Sequence, residues 1–421
     1  MSLSQQDSSA RRARPRAAVV TAVCLCVAAG SALPAIAAGQ DGSVGPRRGT
    51  LVSAVHLAGL DAAQATAYVR DQGFAAPAAQ DGVDVYRITY RTVGATGRPA
   101  LASGVVTLPR KAAGHSRAGL RTVEYNHGTL PYRGDAGSVS DGADRAVTVM
   151  FAGAGFAAVA PDYLGLGVGT GLHPYMDIDS ETTASVDMLK AARTFEAGKG
   201  VSLDGKVMVT GFSQGGAASM GIGRALQQGA APGLRLAALA PVSGPYDLRD
   251  DEIPAAFDGR LAPPIAAFYL AYAITSWNRL HPLYHSPAEA FRAPYAATVE
   301  GLFDGTHTDE EIVAGLPGTP EELLTPQFIA QMKHPTGALA EIMRADDAVC
   351  TDWAPQAPVR LYDGRLDTDV APANTRSCQD GLAANGVHAP IVSAGQVDHM
   401  TSARVSYPRI LQWFRQLTAQ H

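Results

Sequence analysis

Gly211-Phe212-Ser213-Gln214-Gly215 lies between two segments of different character. Lys206-Val207-Met208-Val209-Thr210, directly before it, is a short apolar run that predicts a buried strand. Residues 216–226, directly after it, are mostly small and predict a closely packed helix. A strand, a Gly-x-Ser-x-Gly turn and a helix form the context of a nucleophile elbow, which presents its serine above a sheet. Ser213 is therefore the candidate nucleophile.

The neighbours of Ser213 have the small size that such a turn requires. The turn holds the serine in a strained backbone conformation, and Gly211 and Gly215 leave room for it. The backbone N–H of Gln214 can then point at a developing oxyanion. The chain has 44 glycines, so a bare Gly-x-Ser-x-Gly match could be a structural turn. The flanking strand and helix favour the catalytic interpretation.

Candidates for an acid and a base follow the serine in the order that this turn type requires. Residues 359–362 predict a strand, and residues 389–394 predict the last strand. His399 comes after the last strand, in the predicted loop before an amphipathic helix over residues 402–417. It is the candidate base that would take the Ser213 proton and return it to a leaving alcohol. The first of these strands is followed by three candidate acids: Asp363, Asp367 and Asp369.

Another turn follows the strand predicted over residues 120–125. Its sequence is Asn126-His127-Gly128-Thr129-Leu130. Taken by itself, His127-Gly128 predicts only a change of chain direction.

Together these motifs resemble those of the α/β-hydrolase superfamily. A narrower similarity, to the secretory lipases and bacterial secreted esterases, is carried by residues 160–167 (Ala-Pro-Asp-Tyr-Leu-Gly-Leu-Gly), 172–175 (Leu-His-Pro-Tyr) and 185–193. The resemblance covers roughly residues 80–420. Its motifs are specific for the superfamily, less specific for the branch, and poor guides to substrate.

The resemblance implies roles for the remaining candidates. A Gly-x-x-Asp turn after the penultimate strand is the superfamily's pattern, so it implies Asp367 as the acid, with Asp363 and Asp369 as alternatives. It also implies that His127 and Gly128 form the oxyanion loop. The two oxyanion donors would then be the backbone N–H groups of Thr129 and Gln214.

The implied activity is hydrolysis of a small-molecule or lipid ester by a serine enzyme of the lipase or esterase type. A serine peptidase of the prolyl-oligopeptidase type would use the same three side chains, and a non-catalytic binding protein could keep the fold. The resemblance implies no cofactor. The sequence has no phosphate-binding or dinucleotide-binding glycine motif and no cluster with metal-ligand spacing.

The order of predicted elements indicates an α/β fold. Residues 53–74 predict a helix, and residues 83–93 and 101–108 predict an antiparallel strand pair. From residue 121 onward strands and helices alternate, which is typical of a mostly parallel central sheet flanked by helices.

The alternation stops between the strand predicted over residues 234–242 and the one at 359. Residues 246–355 predict a helical cap, inserted between a first core part (51–245) and a second core part (356–421). Its predicted helices cover residues 268–277, 295–302, 309–314, 321–332 and 336–344. We expect a few of its aromatic side chains to line an apolar pocket and the others to form the cap's own core: Phe257, Phe268, Tyr269, Tyr272, Trp277, Tyr284, Phe291 and Phe303. We also expect its acids and bases to be mixed, with no cluster of one sign.

The N-terminus has the pattern of an export signal. Arginines at residues 11–16 precede an apolar run over residues 17–29, and Ala-Ile-Ala at 35–37 is a typical cleavage site. This predicts a signal peptide over residues 1–37, cleaved near Ala37, a disordered linker over 38–50 and a secreted mature protein without a stable membrane span. A retained membrane anchor is the alternative.

The cysteines and the charge complete the expectations. Cys24 and Cys26 would leave with the signal, so Cys350 and Cys378 are a candidate disulfide, with two separate thiols as the alternative. The formal net charge is −5 and no basic patch indicates a nucleic-acid partner. The oligomeric state does not follow from the sequence.

Overall fold

The computed structural model describes residues 47–110 and 119–419. The predicted signal peptide, with Cys24 and Cys26, lies outside them. Within these ranges nine strands form one sheet: β1 (Leu51–Leu60), β2 (Gly82–Val93), β3 (Pro99–Arg110), β4 (Leu120–Asn126), β5 (Ala157–Pro161), β6 (Leu203–Phe212), β7 (Arg235–Val242), β8 (Leu361–Asp363) and β9 (Ile391–Ser393). Their order is β1-β2-β3-β5-β4-β6-β7-β8-β9. The pairs from β1 to β5 are antiparallel and those from β5 to β9 are parallel.

The described residues also form helices before, between and after these strands: α1 (Ala62–Asp71), α2 (Ala143–Gly153), α3 (Ile178–Gly198), α4 (Gln214–Gln227), α5 (Ile253–Asp258), α6 (Pro263–Leu280), α7 (Pro287–Ala290), α8 (Val299–Leu302), α9 (Asp309–Ala314), α10 (Pro320–Leu323), α11 (Pro326–Lys333), α12 (Gly337–Asp347), α13 (Ala373–Ala384) and α14 (His399–Ala419). Short 3₁₀ turns cover Arg133–Asp135 and Tyr295–Ala297, and a π turn covers Leu248–Glu252.

Helices pack on both faces of the sheet. Neighbouring residues of β6 point to opposite faces, as the two-residue period of a strand requires. Val209 belongs to a core that includes Met188 of α3 and Met220 of α4. Met208 belongs to a second core that includes Val149 of α2 and Phe414 of α14. This mostly parallel sheet with helices on both faces confirms the predicted α/β-hydrolase fold.

The segment between β7 and β8 is helical, as predicted, and contains α5 to α12. We call residues 246–355 the helical segment; its boundaries as a separate domain stay a prediction. Most of a third apolar core lies within it. The helix predicted over 321–332 is broken in two, because Pro326 starts α11 and the Thr325 hydroxyl caps it by accepting from Phe328 N at 3.2 Å.

The first predicted helix is wrong in its first half. Residues 51–60 form β1, which pairs antiparallel with β2, and the helix begins only after Asp61. The Asp61 carboxylate accepts from Gln64 N at 2.8 Å and so caps α1. The preceding residues lie on an exposed edge strand, where the pairing with β2 and not a buried helical face decides the structure.

The ends of two predicted segments also differ from expectation. The predicted disordered linker ends too late, because Gly49 N donates to Arg91 O at 2.8 Å and Arg91 N donates to Thr50 O at 2.9 Å. His399 is the first residue of α14 and not part of a loop before it.

Cys350 and Cys378 form a disulfide, as predicted, with their Cα atoms 5.1 Å apart. The bond ties the chain after α12 to α13. In the part of the chain that the structure describes, no helix has both the length and the apolar character that crossing a membrane requires.

Candidate active site

Ser213 lies between β6 and α4 with φ +56° and ψ −123°, a backbone conformation that residues other than glycine rarely adopt. Two backbone hydrogen bonds hold it there. Ser213 N donates to Val242 O at 2.9 Å, and Gly216 N donates to Ser213 O at 2.7 Å. A strained non-glycine residue persists only where its surroundings fix it in this way, and such residues concentrate at functional sites.

The positions of Gly211 and Gly215, on either side of Ser213, leave no space for a side chain. A Cβ at Gly211 would lie 2.1 Å from Gly215 O, and a Cβ at Gly215 would lie 2.1 Å from Asn126 O. No side chain is accommodated at these distances without moving backbone. The elbow packs directly against the end of β4, where the His127-Gly128 turn begins.

The structure brings Asp367 and His399 together. His399 Nδ1 donates to Asp367 Oδ2 at 2.6 Å, and both side chains are buried. Asp367 Oδ1 accepts from Asp369 N at 3.0 Å and Val370 N at 2.9 Å. Among the three acids that follow β8, Asp367 is thus the one hydrogen-bonded to the histidine. Asp363 ends β8 with a buried, unpartnered Oδ1.

The other ring nitrogen of His399 is free. In the neutral ring, an Nδ1–H donated to a carboxylate leaves the lone pair on Nε2. His399 Nε2 is buried and has no hydrogen-bond partner, so the structure does not join it to the Ser213 hydroxyl. The ring packs against Phe212, the residue before the serine, with centroids 4.5 Å apart. Catalytic hydrogen bonds are often loose without substrate and tighten in the complex.

The predicted oxyanion loop lies against the serine. A Cβ at Gly128 would be 3.3 Å from Ser213 Cβ. His127 is buried, and its ring packs on Tyr163 with centroids 4.4 Å apart. Thr129, Gln214 and Ser213 line one cavity. Gln214 is the first residue of α4, so its N–H has no partner within the helix.

Comparisons with known proteins show which families this fold resembles. A profile of the secretory lipases matches residues 132–263. Among solved structures, the rice cell wall degrading esterase LipA of Xanthomonas oryzae, in a ligand-bound form, superposes with a TM-score of 0.76 at 26% identity, over 88% of this chain and 98% of that chain. The chain is an α/β-hydrolase.

Two further solved structures are similar to this hydrolase. A predicted hydrolase of Legionella pneumophila is 25% identical over 88% of this chain and 99% of its own, with a TM-score of 0.79. Candida antarctica lipase A in its closed state is 16% identical over 86% of this chain and 80% of its own, with a TM-score of 0.63, and shows the fold alone. A sequence search among curated proteins gave no match. The family match and the LipA similarity place the hydrolase with the carboxylic ester hydrolases.

The cavity at Ser213 is lined mainly by apolar side chains. It holds about 560 Å³ of empty space including its mouth. We call it the Ser213 cavity; besides Ser213, Gln214 and Thr129 it is lined by Tyr175, Met176, Pro245, Leu248, Glu252, Ile253, Ala256, Leu261, Ala266, Tyr269, Leu270, Ala273, Trp277 and Val370. Of the eight aromatic residues that the sequence singled out, only Tyr269 and Trp277 line it. Phe268, Phe291 and Phe303 are buried in the core of the helical segment.

Glu252 is a buried residue of the hydrolase site that the sequence did not indicate. Its Oε2 accepts from Ala371 N at 3.0 Å and from Asn374 Nδ2 at 2.6 Å. It therefore ties the start of the helical segment to the chain just after Asp367. Burial raises the pKa of Glu252 to about 7. No sequence motif surrounds Glu252, so its place in the site could be recognised only from the structure.

Proposed function

We propose that this hydrolase cleaves carboxylic esters through a triad of Ser213, His399 and Asp367, with an acyl-enzyme intermediate. One observation carries the proposal. Ser213, whose backbone is strained and held by hydrogen bonds, lines an apolar cavity, and the nearby chain carries a buried Asp367–His399 pair in which one ring nitrogen of His399 has no partner.

Each group has a defined part in the proposed reaction. His399 Nε2 takes the proton of Ser213 Oγ as that oxygen attacks the ester carbonyl. The oxyanion accepts from the N–H groups of Gln214 and Thr129. His399 then gives the proton to the leaving alcohol, and a water molecule repeats the sequence on the acyl-enzyme. Asp367 keeps the imidazole in one tautomer and stabilises its charged form.

The lining of the Ser213 cavity favours an apolar acyl or alcohol group. Each methylene that leaves water contributes about 0.8 kcal/mol. When this contribution persists in the transition state, kcat/KM rises with chain length until the cavity is full. The substrate class that this supports is an ester with an aliphatic chain.

A serine peptidase remains the second candidate because of one feature. Carboxylates from the helical segment and from the start of α3 meet in a second cavity, which we call the acidic cavity; it is lined by Met176, Asp177, Ile178, Asp179, Trp277, Leu280, His281, Glu341, Ile342, Ala345 and Asp346. Such a cavity would attract a peptide's terminal ammonium group. Met176 and Trp277 line both cavities and stand between them, so this charge does not face Ser213. This arrangement favours the ester.

We also infer that the protein is secreted. The matching profile describes secretory lipases, and a disulfide is typical of exported proteins. The predicted signal peptide lies outside the described residues. Peptide mapping of the protein recovered from culture medium, with a new N-terminus near residue 38, would test this inference.

The proposed activity is tested with p-nitrophenyl esters of graded acyl length beside aminoacyl and prolyl anilides. We expect a clear optimum among the acyl lengths and negligible cleavage of the anilides. An anilide that is turned over faster than every ester would contradict the ester proposal and leave the triad in place.

A further inference from the structure

We propose that His173, Tyr175 and Glu181 are positioning residues that hold both donors of the oxyanion hole. The inference rests on the proposed function, because it concerns the same site. None of the three side chains touches the reacting atoms in the proposed reaction. They act through Gln214 and Thr129.

The side chain of Gln214 is held in one orientation. Its Nε2 donates to Glu181 Oε1 at 2.6 Å and lies 3.0 Å from His173 Nε2. His173 Nδ1 donates to Leu164 O at 3.0 Å, so Nε2 of this ring carries the lone pair and accepts the second amide hydrogen. Both hydrogens of the amide are therefore used. All of these side chains are buried.

Glu181 extends the network into the loop before α3. Its Oε1 also accepts from Met176 N at 3.2 Å. Met176 has φ +55°, a left-handed conformation that is costly for a side chain of this size. The carboxyl group thus links the first residue of α4 to a strained backbone position in the loop over residues 173–176.

The same loop holds the other donor residue. The hydroxyl groups of Tyr175 and Thr129 are 2.9 Å apart. Tyr175 stacks on Tyr272 of α6, with centroids 4.1 Å apart and ring planes within 5°. Tyr175 is therefore held by the helical segment while it holds Thr129. One four-residue loop reaches both predicted donors.

The loop also supports the His127-Gly128 turn, which precedes Thr129. The His173 ring stacks on Tyr163, with centroids 5.8 Å apart and ring planes within 11°. Tyr163 OH donates to His127 O at 3.3 Å. Burial lowers the pKa of His173 to about 3, which keeps the ring neutral and able to accept from Gln214. Donors aimed in advance at the oxyanion are worth more than donors that must reorganise.

A merely structural role predicts a different result from a positioning role. Loss of a structural hydrogen bond would lower the melting temperature and leave kcat of the folded enzyme unchanged. Loss of a positioning contact would lower kcat and leave KM nearly unchanged, because the oxyanion forms only after binding.

The test compares Glu181→Gln with Glu181→Leu. Glutamine keeps an acceptor oxygen for Gln214 and Met176, so we expect kcat on a p-nitrophenyl ester to stay within about threefold of the unmodified protein. Leucine removes the acceptor, and we expect kcat to fall roughly tenfold to a hundredfold at similar KM, less than loss of an oxyanion donor. Glu196→Leu is the matched control, since Glu196 is a buried carboxyl of the same helix with no hydrogen-bond partner in the structure. This control should leave kcat unchanged, because Glu196 makes no hydrogen bond to either donor residue.

Tyr175→Phe keeps the test decisive if Glu181→Leu does not fold. It removes one hydroxyl and retains the stacking surface for Tyr272. We expect kcat to fall roughly threefold to tenfold at unchanged KM. Tyr284→Phe is its control, since the Tyr284 hydroxyl donates to Glu300 within the helical segment.

Two outcomes separate this inference from the proposed function. If the unmodified protein acylates Ser213 while folded Glu181→Leu and Tyr175→Phe keep its full kcat, the positioning role is wrong and the triad stands. If the unmodified protein does not acylate Ser213 at all, the proposed function itself fails.

Discussion

The edge of the sheet and the helical segment contribute different things to the site. The proposed reactive groups lie at the ends of strands: Thr129 after β4, Ser213 after β6, Asp367 after β8 and His399 after β9. The walls of the Ser213 cavity come largely from α5, α6 and the chain around them. Parallel strands bring their carboxyl ends to one edge, so short local motifs suffice to place the chemistry. The cavity depends on packing between distant segments. Changes at the sheet edge should therefore abolish turnover of every ester, and changes in the helical segment should redistribute turnover among esters.

Replacing the nucleophile is the strongest test of this contrast. Ser213→Ala should lower kcat by roughly 10⁴ or more for every acyl length, because no other group can form the acyl-enzyme. Ser219→Ala is the matched control, since the Ser219 hydroxyl donates to Gly215 O at 2.6 Å in the same helix without facing the cavity. Substantial ester turnover by a folded Ser213→Ala protein would show that the residues at the strand ends do not carry out the reaction.

The acid should matter almost as much. Asp367→Asn replaces the acceptor of His399 Nδ1–H with a group that can present a donor, which favours the wrong tautomer. We expect kcat to fall by roughly 10² to 10⁴. Asp369→Asn should change kcat by less than about threefold, because Asp369 contacts Asp367 through its backbone N–H. The opposite ranking in steady-state kinetics would move the role of the acid to Asp369.

Trp277 tests the contribution of the helical segment. It separates the Ser213 cavity from the acidic cavity, and its Nε1 donates to Met176 O at 3.1 Å. Trp277→Ala should enlarge the Ser213 cavity and shift the preferred acyl length toward longer chains. For these longer esters kcat/KM should rise about fourfold for each methylene newly buried. Trp353→Ala, which changes a buried tryptophan of the sheet core, should lower stability without moving the optimum. An unchanged dependence of kcat/KM on acyl length in Trp277→Ala would show that Trp277 does not limit the length of the bound acyl group.

Glu196 tests a buried carboxyl group that belongs to neither region of the site. Burial raises the pKa of Glu196 from 4.5 to about 8, so the folded protein holds a proton there that the unfolded chain releases. The free energy of unfolding should therefore fall as pH rises between these values, by at most about 1.4 kcal/mol per pH unit from this group. Urea titrations at several pH values should give a flatter profile for Glu196→Gln, with an unchanged ester profile. Equal slopes in the two proteins would exclude this source of pH sensitivity.

The sequence predicted the proposed reactive residues better than it predicted the lining of the cavity. Local motifs place those residues, whereas the cavity depends on packing between distant segments. Ser213 and His399 could be proposed from a strand, a tight turn and the chain order, whereas the choice of Asp367 among three acids came from the resemblance to the superfamily. Glu252 and the acidic cavity could not be predicted, since residues far apart in the sequence, such as Asp177 and Asp346, line one cavity only in the folded chain. The first half of the helix predicted over residues 53–74 was wrong, because β1 is an exposed edge strand whose structure depends on pairing with β2. The break at Pro326 has a local signal in the sequence, because Thr325 and Pro326 form the cap and first turn of α11.

The most direct test of the account is to trap the acyl-enzyme and locate the acyl group. The protein would be mixed with p-nitrophenyl butyrate, quenched in acid within the first turnover, digested and analysed by mass spectrometry. We predict one butyryl group on Ser213, formed together with a burst of p-nitrophenol, and no such group in Ser213→Ala. A butyryl group on another residue, or a burst that persists in Ser213→Ala, would contradict the assignment of Ser213 as the nucleophile.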